Sequence, residues 1–343
     1  MRILVIGGTR FIGLATVRLL SQQGHMVTVF HRGQTQPDLP EGVQQIIGER
    51  THLATFKQTF LDFAPDVVLD MIAFVEQDGH ALMSVCKGLV RRIVLISSQD
   101  VYRIYGRVNR TESGPPDPLP VTEDSPLRDK LYPYRGIDLP FPESEKQRMH
   151  DYDKILIERL VMNDPAIQGT ILRLPAVYGP NDGQHRLFEF LKRMDDQRPA
   201  ILLDERMAQW RWTRGYVENV AAAIALAITN ERAAGRIYNV GEAHTLSMIE
   251  WVRAIAKIAD WHGNIITLPP DRVPSHLIPD VDTNQDLLVA TTRIREELGY
   301  REPVELDEAL RRAVAWERAN PPTQVDVKQF DYAAEDAALT SSF

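Results

Sequence analysis

Between the apolar run Ile3-Leu4-Val5-Ile6 and an amphipathic stretch that starts near Ile12 stands Gly7-Gly8-Thr9-Arg10-Phe11-Ile12-Gly13. A glycine-rich turn between a buried strand and a helix constrains the fold more than any other feature of this chain. It lets backbone N–H groups approach a pyrophosphate, which then rests on the positive N-terminal end of the helix. The context agrees with that reading: strand before, helix after, and a second strand-like run, Met26–Phe30, at the spacing of a βαβ unit.

The rhythm continues. Strand-like runs occur at Arg2–Ile6, Met26–Phe30, Val43–Ile47, Val67–Met71 and Ile93–Ile96, separated by helical patterns such as Ile12–Gln23, which Gly24 closes. Near-continuous Val/Ile/Leu runs suit strands buried on both faces of a parallel sheet. The expected fold is α/β: a doubly wound parallel Rossmann sheet with a smaller C-terminal lobe for the substrate. With 343 residues the chain exceeds one small core. We expect a nucleotide-binding domain over 1–180 and a lobe over 181–343, from which 215–241 returns to the first domain as a helix ("GYVENVAAAIALAI") and a strand ("GRIYNVG"). Residues 103–150, with "SGPPDPLP", "YPYRG" and "DLPFP", carry too many prolines for regular structure and read as a lid-like insertion, with a mobile loop as the alternative. A helix resumes from Tyr152. The tail after Asn320 reads as an arm packing on a partner or a frayed end.

Composition narrows the function. Hydrophobic residues make up 44% and charged residues 25%, and no apolar run reaches the roughly 20 residues that span a bilayer. No signal peptide precedes the first strand, and the single cysteine, Cys86, reads as a buried helix residue; both fit a reducing cytoplasm. The nine histidines form no HxxH or HExxH pair, so no metal site is expected. A net charge of −8 argues against nucleic acid as a partner. The expected partner is a small molecule.

Five segments, in order, resemble the extended short-chain dehydrogenase/reductase superfamily, the NAD-dependent epimerase/dehydratase group. "GGTRFIG" is similar to its GxxGxxG loop, with Gly7 and Gly13 kept and Arg10 in place of the middle glycine. "SSQDVY" (Ser97–Tyr102) resembles SSxxVY, "KILIE" (Lys154–Glu158) resembles KxxxE, "LRLPAVYGP" (Leu172–Pro180) resembles LRxxNVYGP, and "YVENVA" (Tyr216–Ala221) resembles YVxDVA. "GGTRFIG" with "FHRG" further resembles an atypical branch that includes plastid stem-loop-binding proteins. The resemblance implies a nicotinamide cofactor held by Gly7, Thr9, Arg10, Phe11, Ile12 and Gly13. Met71 and Ile72 after the fourth strand, Lys154, and Pro175 and Val177 of the later strand-and-turn complete the cofactor set. Glu49 and Arg50, after the third strand, are adenine-side candidates. An unphosphorylated ribose calls for an acid at the end of the second strand. This chain has His31 and Arg32 there, and guanidinium forks match a phosphate's oxygens. NADP is therefore expected, with NAD as second choice.

In the family, a serine, a tyrosine and a lysine act together. The tyrosine moves the proton, the lysine lowers its pKa and holds the nicotinamide ribose, and the serine positions the substrate oxygen. Ser98 and Lys154 match. The tyrosine does not: His150 stands four residues before Lys154, and Tyr152 only two. Three readings stay open. His150 replaces the tyrosine, with an imidazole that titrates near neutrality; or the helix starts late and an irregular first turn swings Tyr152 into the cleft; or neither acts and the protein only binds its cofactor. On the substrate side, Arg211 and Arg214 lie near a family arginine that binds nucleotide-sugar diphosphates, although "RWTRG" stands where "RDF" is usual; Asn181 follows the "VYGP" turn. Trp210 and Trp212 are candidates for stacking. The resemblance thus implies hydride transfer on a sugar-like or nucleotide-sugar substrate, by reduction or by epimerisation, in a homodimer built on helices near 78–88 and 154–163. The competing reading is a non-catalytic NADP(H) sensor or scaffold. RNA binding, suggested by the atypical branch alone, runs against the net charge.

Overall fold

A computed structural model of the chain describes residues 1–137 and 143–340. The "DLPFP" part of the expected lid lies outside the described residues. The strands are β1 (Arg2–Ile6), β2 (Met26–His31), β3 (Gln44–Ile47), β4 (Val67–Asp70), β5 (Arg92–Ser98), β6 (Gln168–Leu174), β7 (Ala176–Tyr178), β8 (Ala200–Asp204), β9 (Arg214–Tyr216), β10 (Ile237–Asn239) and β11 (Asn264–Leu268). Seven of them form one parallel sheet in the order β10-β6-β5-β4-β1-β2-β3. Ile3 pairs with Val27 on one side and Val67 on the other, so the order reverses about β1. A crevice opens at the carboxyl ends of the strands there.

The two faces are filled by alternation. Ile3 and Val5 join one core with Val17, Leu20 and Ile224, while Leu4 and Ile6 join the other with Phe60, Leu82, Ile157 and Val161. The helix Phe11–Gln22 packs beside Val217–Thr229 on the first face, and Glu76–Cys86 beside Lys154–Met162 on the second. Cys86 is free and buried, as expected.

Three boundaries differ from expectation for local reasons. β4 stops at Asp70, whose carboxylate accepts the Ile72 N–H (3.0 Å) and turns the chain into the crevice. The insertion is helical at both proline-free ends, Arg103–Val108 and Glu143–His150, and irregular over the described residues between them. Val121 of that middle part is buried and bridges to Val289. The chain also breaks between Glu143–His150 and Lys154–Met162, because Asp153 caps the second helix by accepting the Ile155 N–H at 3.0 Å. The expected helix from Tyr152 therefore begins at Lys154. The tail is not frayed over its described residues: Tyr332–Thr340 is a helix whose buried Glu335 pairs with Arg193 (2.7 Å) and His276 (3.1 Å) of its own chain.

Candidate active site

The loop after β1 is built to receive a diphosphate. Gly7 and Gly8 hold φ of 92° and 103°, in the left-handed region that side chains avoid. A Cβ at Gly13 would lie 2.5 Å from the Gly8 Cα, and one at Gly7 would meet Ile72 at 2.9 Å. The helix Phe11–Gln22 has no side-chain cap, so its first N–H groups face the crevice without a side-chain acceptor. These residues fit a dinucleotide: backbone donors at a helix N-terminus, with no side chain in the space the phosphates need.

The cavity in front of the loop measures about 440 Å³ and is lined by Gly7, Thr9, Arg10, Phe11, Ile12, Gly13, His31, Arg32, Glu49, Arg50, Met71 and Ile72, all proposed from the sequence. Phe74, Ile96 and Arg148 close its inner end. Arg10 and Arg32 are exposed there and pair with no described residue. Two neighbours behave otherwise. His31 is buried; its Nδ1 accepts the Gly33 N–H (3.2 Å), and its Nε2 lies 2.9 Å from the Gln45 side-chain oxygen. It shapes the turn through these two bonds. Arg50 is committed to Asp70, through two hydrogen bonds of 2.9 and 2.6 Å, and to Asp78 at 2.9 Å. It braces the cavity floor, and its charge is not free for adenine.

At the inner end, Lys154 is buried and donates to the Ile96 carbonyl (3.0 Å), with its ammonium 4.6 Å from the centre of the Phe74 ring. Burial pulls its pKa down to about 8. Tyr152, freed from the helix by the Asp153 cap, packs between Phe74 and Tyr134 and donates its hydroxyl to Asp100 Oδ2 at 2.7 Å. Ser98 accepts the Asp100 N–H at 3.2 Å. His150 ends a separate helix, so its four-residue spacing to Lys154 does not place the two on one face. The geometry gathers Ser98, Tyr152 and Lys154 around Asp100 and leaves His150 outside.

A second cavity, of about 530 Å³, opens in the C-terminal lobe between His185, Arg186, Phe188, Trp212, Arg214, Trp251 and the tail residues Pro322–Phe330. Arg214 is buried over the Trp251 ring at 4.5 Å, and burial lowers its pKa to about 10. Trp212 links the two regions by donating to Tyr105 (3.3 Å), whose own neighbour is Asp100. Arg211 points to solvent, and Asn181 lines a separate apolar groove beside the helix Phe11–Gln22. Pro175 packs on Gly215, and Val177 sits in the core; neither lines the cofactor cavity. Trp210 is a core residue that donates to the Gln285 carbonyl at 2.7 Å.

Comparison with known proteins agrees with this geometry. The model of the NAD dependent epimerase/dehydratase family matches residues 3–85 and 129–241. The chain belongs to this family. The 2'-dehydrokanamycin reductase of Streptomyces kanamyceticus is 29% identical over 280 residues, 79% of this chain and 70% of that protein. UDP-glucose 4-epimerase of Thermus thermophilus, solved in complex with NAD, superposes with a TM-score of 0.64 at 22% identity, over 93% of this chain and 100% of that one. Bordetella bronchiseptica WbmG, in complex with NAD and UDP, gives 0.68 at 18% identity, over 94% and 96%. Likenesses at these structural identities establish the fold. As a member of the epimerase/dehydratase family the protein is a nicotinamide-dependent enzyme of the oxidoreductase/epimerase type.

Within this family member, four motifs read separately in the sequence turn out to be one buried network. Glu158 accepts from Ser97 (2.5 Å) and Arg173 (2.7 Å). Arg173 donates to the Tyr102 hydroxyl (2.9 Å), which donates to Asn239 (2.7 Å). These residues hold β5, β6 and β10 in register and touch no cavity that receives a ligand. The residue missed by sequence reasoning is Asp100. It stood in plain view within "SSQDVY", yet only the packing of Tyr105, Tyr134 and Tyr152 around it encloses one of its carboxylate oxygens. A usable signal did exist for Tyr152: Asp153 before an apolar helical pattern is an N-cap.

Proposed function

We propose that the protein is an NADP(H)-dependent oxidoreductase that reduces a carbonyl on a sugar-like substrate, with Tyr152 as proton donor. The observation that carries this reading is the broken helix, which delivers the Tyr152 hydroxyl to the Ser98–Asp100 turn. Burial keeps the phenol well above its ordinary pKa. A phenol held neutral suits donation to a developing alkoxide. Epimerisation, which starts by removing a hydroxyl proton, needs the same group ionised. When bound, the reduced nicotinamide supplies the hydride. Ser98 orients the substrate oxygen, and Lys154 holds the ribose. Arg10 and Arg32 bind the 2'-phosphate as unpaired guanidinium groups at the rim of the cavity. A sugar-like ring lies against Trp212 and Trp251, with Arg214 facing an anionic substituent such as a nucleotide-sugar diphosphate. The reading divides the chain into a cofactor part, 1–180 with 215–241, and a substrate lobe over the rest. It keeps a cytoplasmic homodimer through Glu76–Cys86 and Lys154–Met162 on the resemblance.

The test is initial-rate reduction of 2'-dehydrokanamycin and of a UDP-linked keto sugar with NADPH and NADH. Arg10→Ala and Arg32→Ala are each expected to weaken NADPH about tenfold and leave NADH unchanged. Tyr152→Phe is expected to lower kcat by roughly 100-fold or more. Preference for NADH, or full activity of Tyr152→Phe, overturns the assignment.

A further inference from the structure

We propose that Asp100 is the proton reservoir of this site: as a neutral acid it donates to the Tyr152 oxygen, turns the phenol proton toward the substrate and replaces that proton once it is given up. The inference rests on the reading of Tyr152 as donor and adds a residue that the family motif leaves unassigned. Three observations support it. Asp100 Oδ2 lies 2.7 Å from the Tyr152 hydroxyl oxygen, a distance that serves a proton shared in either direction. Its other oxygen, Oδ1, is buried and has no hydrogen-bond partner among the described residues. An ionised carboxylate with one orphaned oxygen is costly, and a carboxylic acid far less so. Finally, Asp100 forms part of the wall of another cavity, of about 290 Å³, bounded by Tyr105, Arg110, Arg128, Tyr134 and Asp280. That cavity gives the acid a polar route to solvent separate from the nicotinamide side.

The surrounding charges set the balance. Tyr152, Arg128, Lys154 and Ser98 favour the anion, and burial outweighs them, raising the Asp100 pKa from the ordinary carboxylate value. Tyr105 and Tyr134 press on the same acid, each with its own pKa pushed up by burial first. The nearest guanidinium, Arg128, is divided: it donates to the Asp100 backbone carbonyl (2.6 Å) and the Lys130 carbonyl (2.8 Å), and it faces Asp153 at 3.5 Å. No hydrogen bond joins it to the Asp100 carboxylate.

The step balances. Hydride from the reduced nicotinamide forms the C–H bond and leaves the carbonyl oxygen with an electron pair. That oxygen takes the Tyr152 proton, the Tyr152 oxygen takes the Asp100 proton, and Asp100 regains one from water in its own cavity. Asp100 acts through Tyr152 and is a positioning and relay residue. Its ionisation state sets what fraction of the enzyme is poised to protonate the developing alkoxide.

The first measurement needs neither cofactor nor substrate. Infrared difference spectra of wild type against Asp100→Asn at neutral pH are expected to show a protonated-carboxyl C=O band in wild type only, fading as pH rises. In the reductase assay, kcat of the wild type should fall with rising pH along the same curve. Asp100→Asn should lose about tenfold or more in kcat with little change in KM, and its profile should lose that limb. Asp100→Glu should restore part of the rate. Absence of the band, or a pH limb that survives in Asp100→Asn, overturns the relay. Full activity of Tyr152→Phe overturns instead the donor assignment on which the relay depends. Melting temperature and cofactor binding, expected to match wild type in Asp100→Asn, separate a relay from a folding defect.

Discussion

Replacing Arg50 by methionine tests whether this residue braces the fold or reads the cofactor. Its guanidinium is buried between two carboxylates, and the two differ in what they keep after it is gone. Asp78 retains Arg148 at 2.8 Å and the N–H groups of Phe74 (2.8 Å) and Val75 (3.2 Å). Asp70, with no exposed surface, retains among the described residues only the Ile72 N–H at 3.0 Å. The penalty therefore falls on Asp70. Leaving one charge of a buried pair alone costs about 3–5 kcal/mol. For a chain this long that lowers Tm by roughly 4–7 °C. The double variant Arg50→Met/Asp70→Asn removes the stranded charge and should recover most of the loss. Chemical denaturation with a double-mutant cycle measures the coupling, and fluorescence titration gives the Kd for NADPH. The expected pattern is a large stability loss in the single variant, recovery in the double, and NADPH affinity kept within about threefold in both. A single variant as stable as wild type, with NADPH affinity lost, would refute the bracing role and return Arg50 to the adenine site.

Two further outcomes follow from the geometry. Gly13→Ala drives a methyl group into the Gly8 backbone, 2.5 Å from its Cα, and should abolish detectable nicotinamide binding while costing about 1–3 kcal/mol of stability, read by titration and melting. Lys154 titrates at about 8 when folded against an ordinary 10.5, so the unfolded chain holds one more proton between those values. Wild-type stability should therefore rise from pH 8 to 10.5 relative to Lys154→Met; a difference that is flat with pH refutes a depressed Lys154.

Periodicity and a few special residues carried much of this protein. Alternating Val/Ile/Leu runs separated by amphipathic stretches suffice for a doubly wound sheet, because only a parallel sheet buries such strands on both faces. The glycines at 7, 8 and 13 located the cofactor crevice, since their backbone angles and close approaches admit no side chain. Residue types also marked Arg10 and Arg32 as free cations at its rim, and exposure needs no knowledge of distant partners. What the sequence could not decide is everything that depends on who stands opposite. Arg50 reads as a ligand until Asp70 and Asp78, 20 and more residues away, close on it. His31 reads as a rim residue until Gly33 and Gln45 engage both its ring nitrogens. Asp100 reads as one more polar residue in a motif until the insertion and the chain break after it bring three tyrosines around it. Charge, proton position and hydrogen-bond donors are settled by desolvation and by neighbours brought together across the chain. Those are properties of the folded assembly of side chains, and one-dimensional spacing holds no record of them.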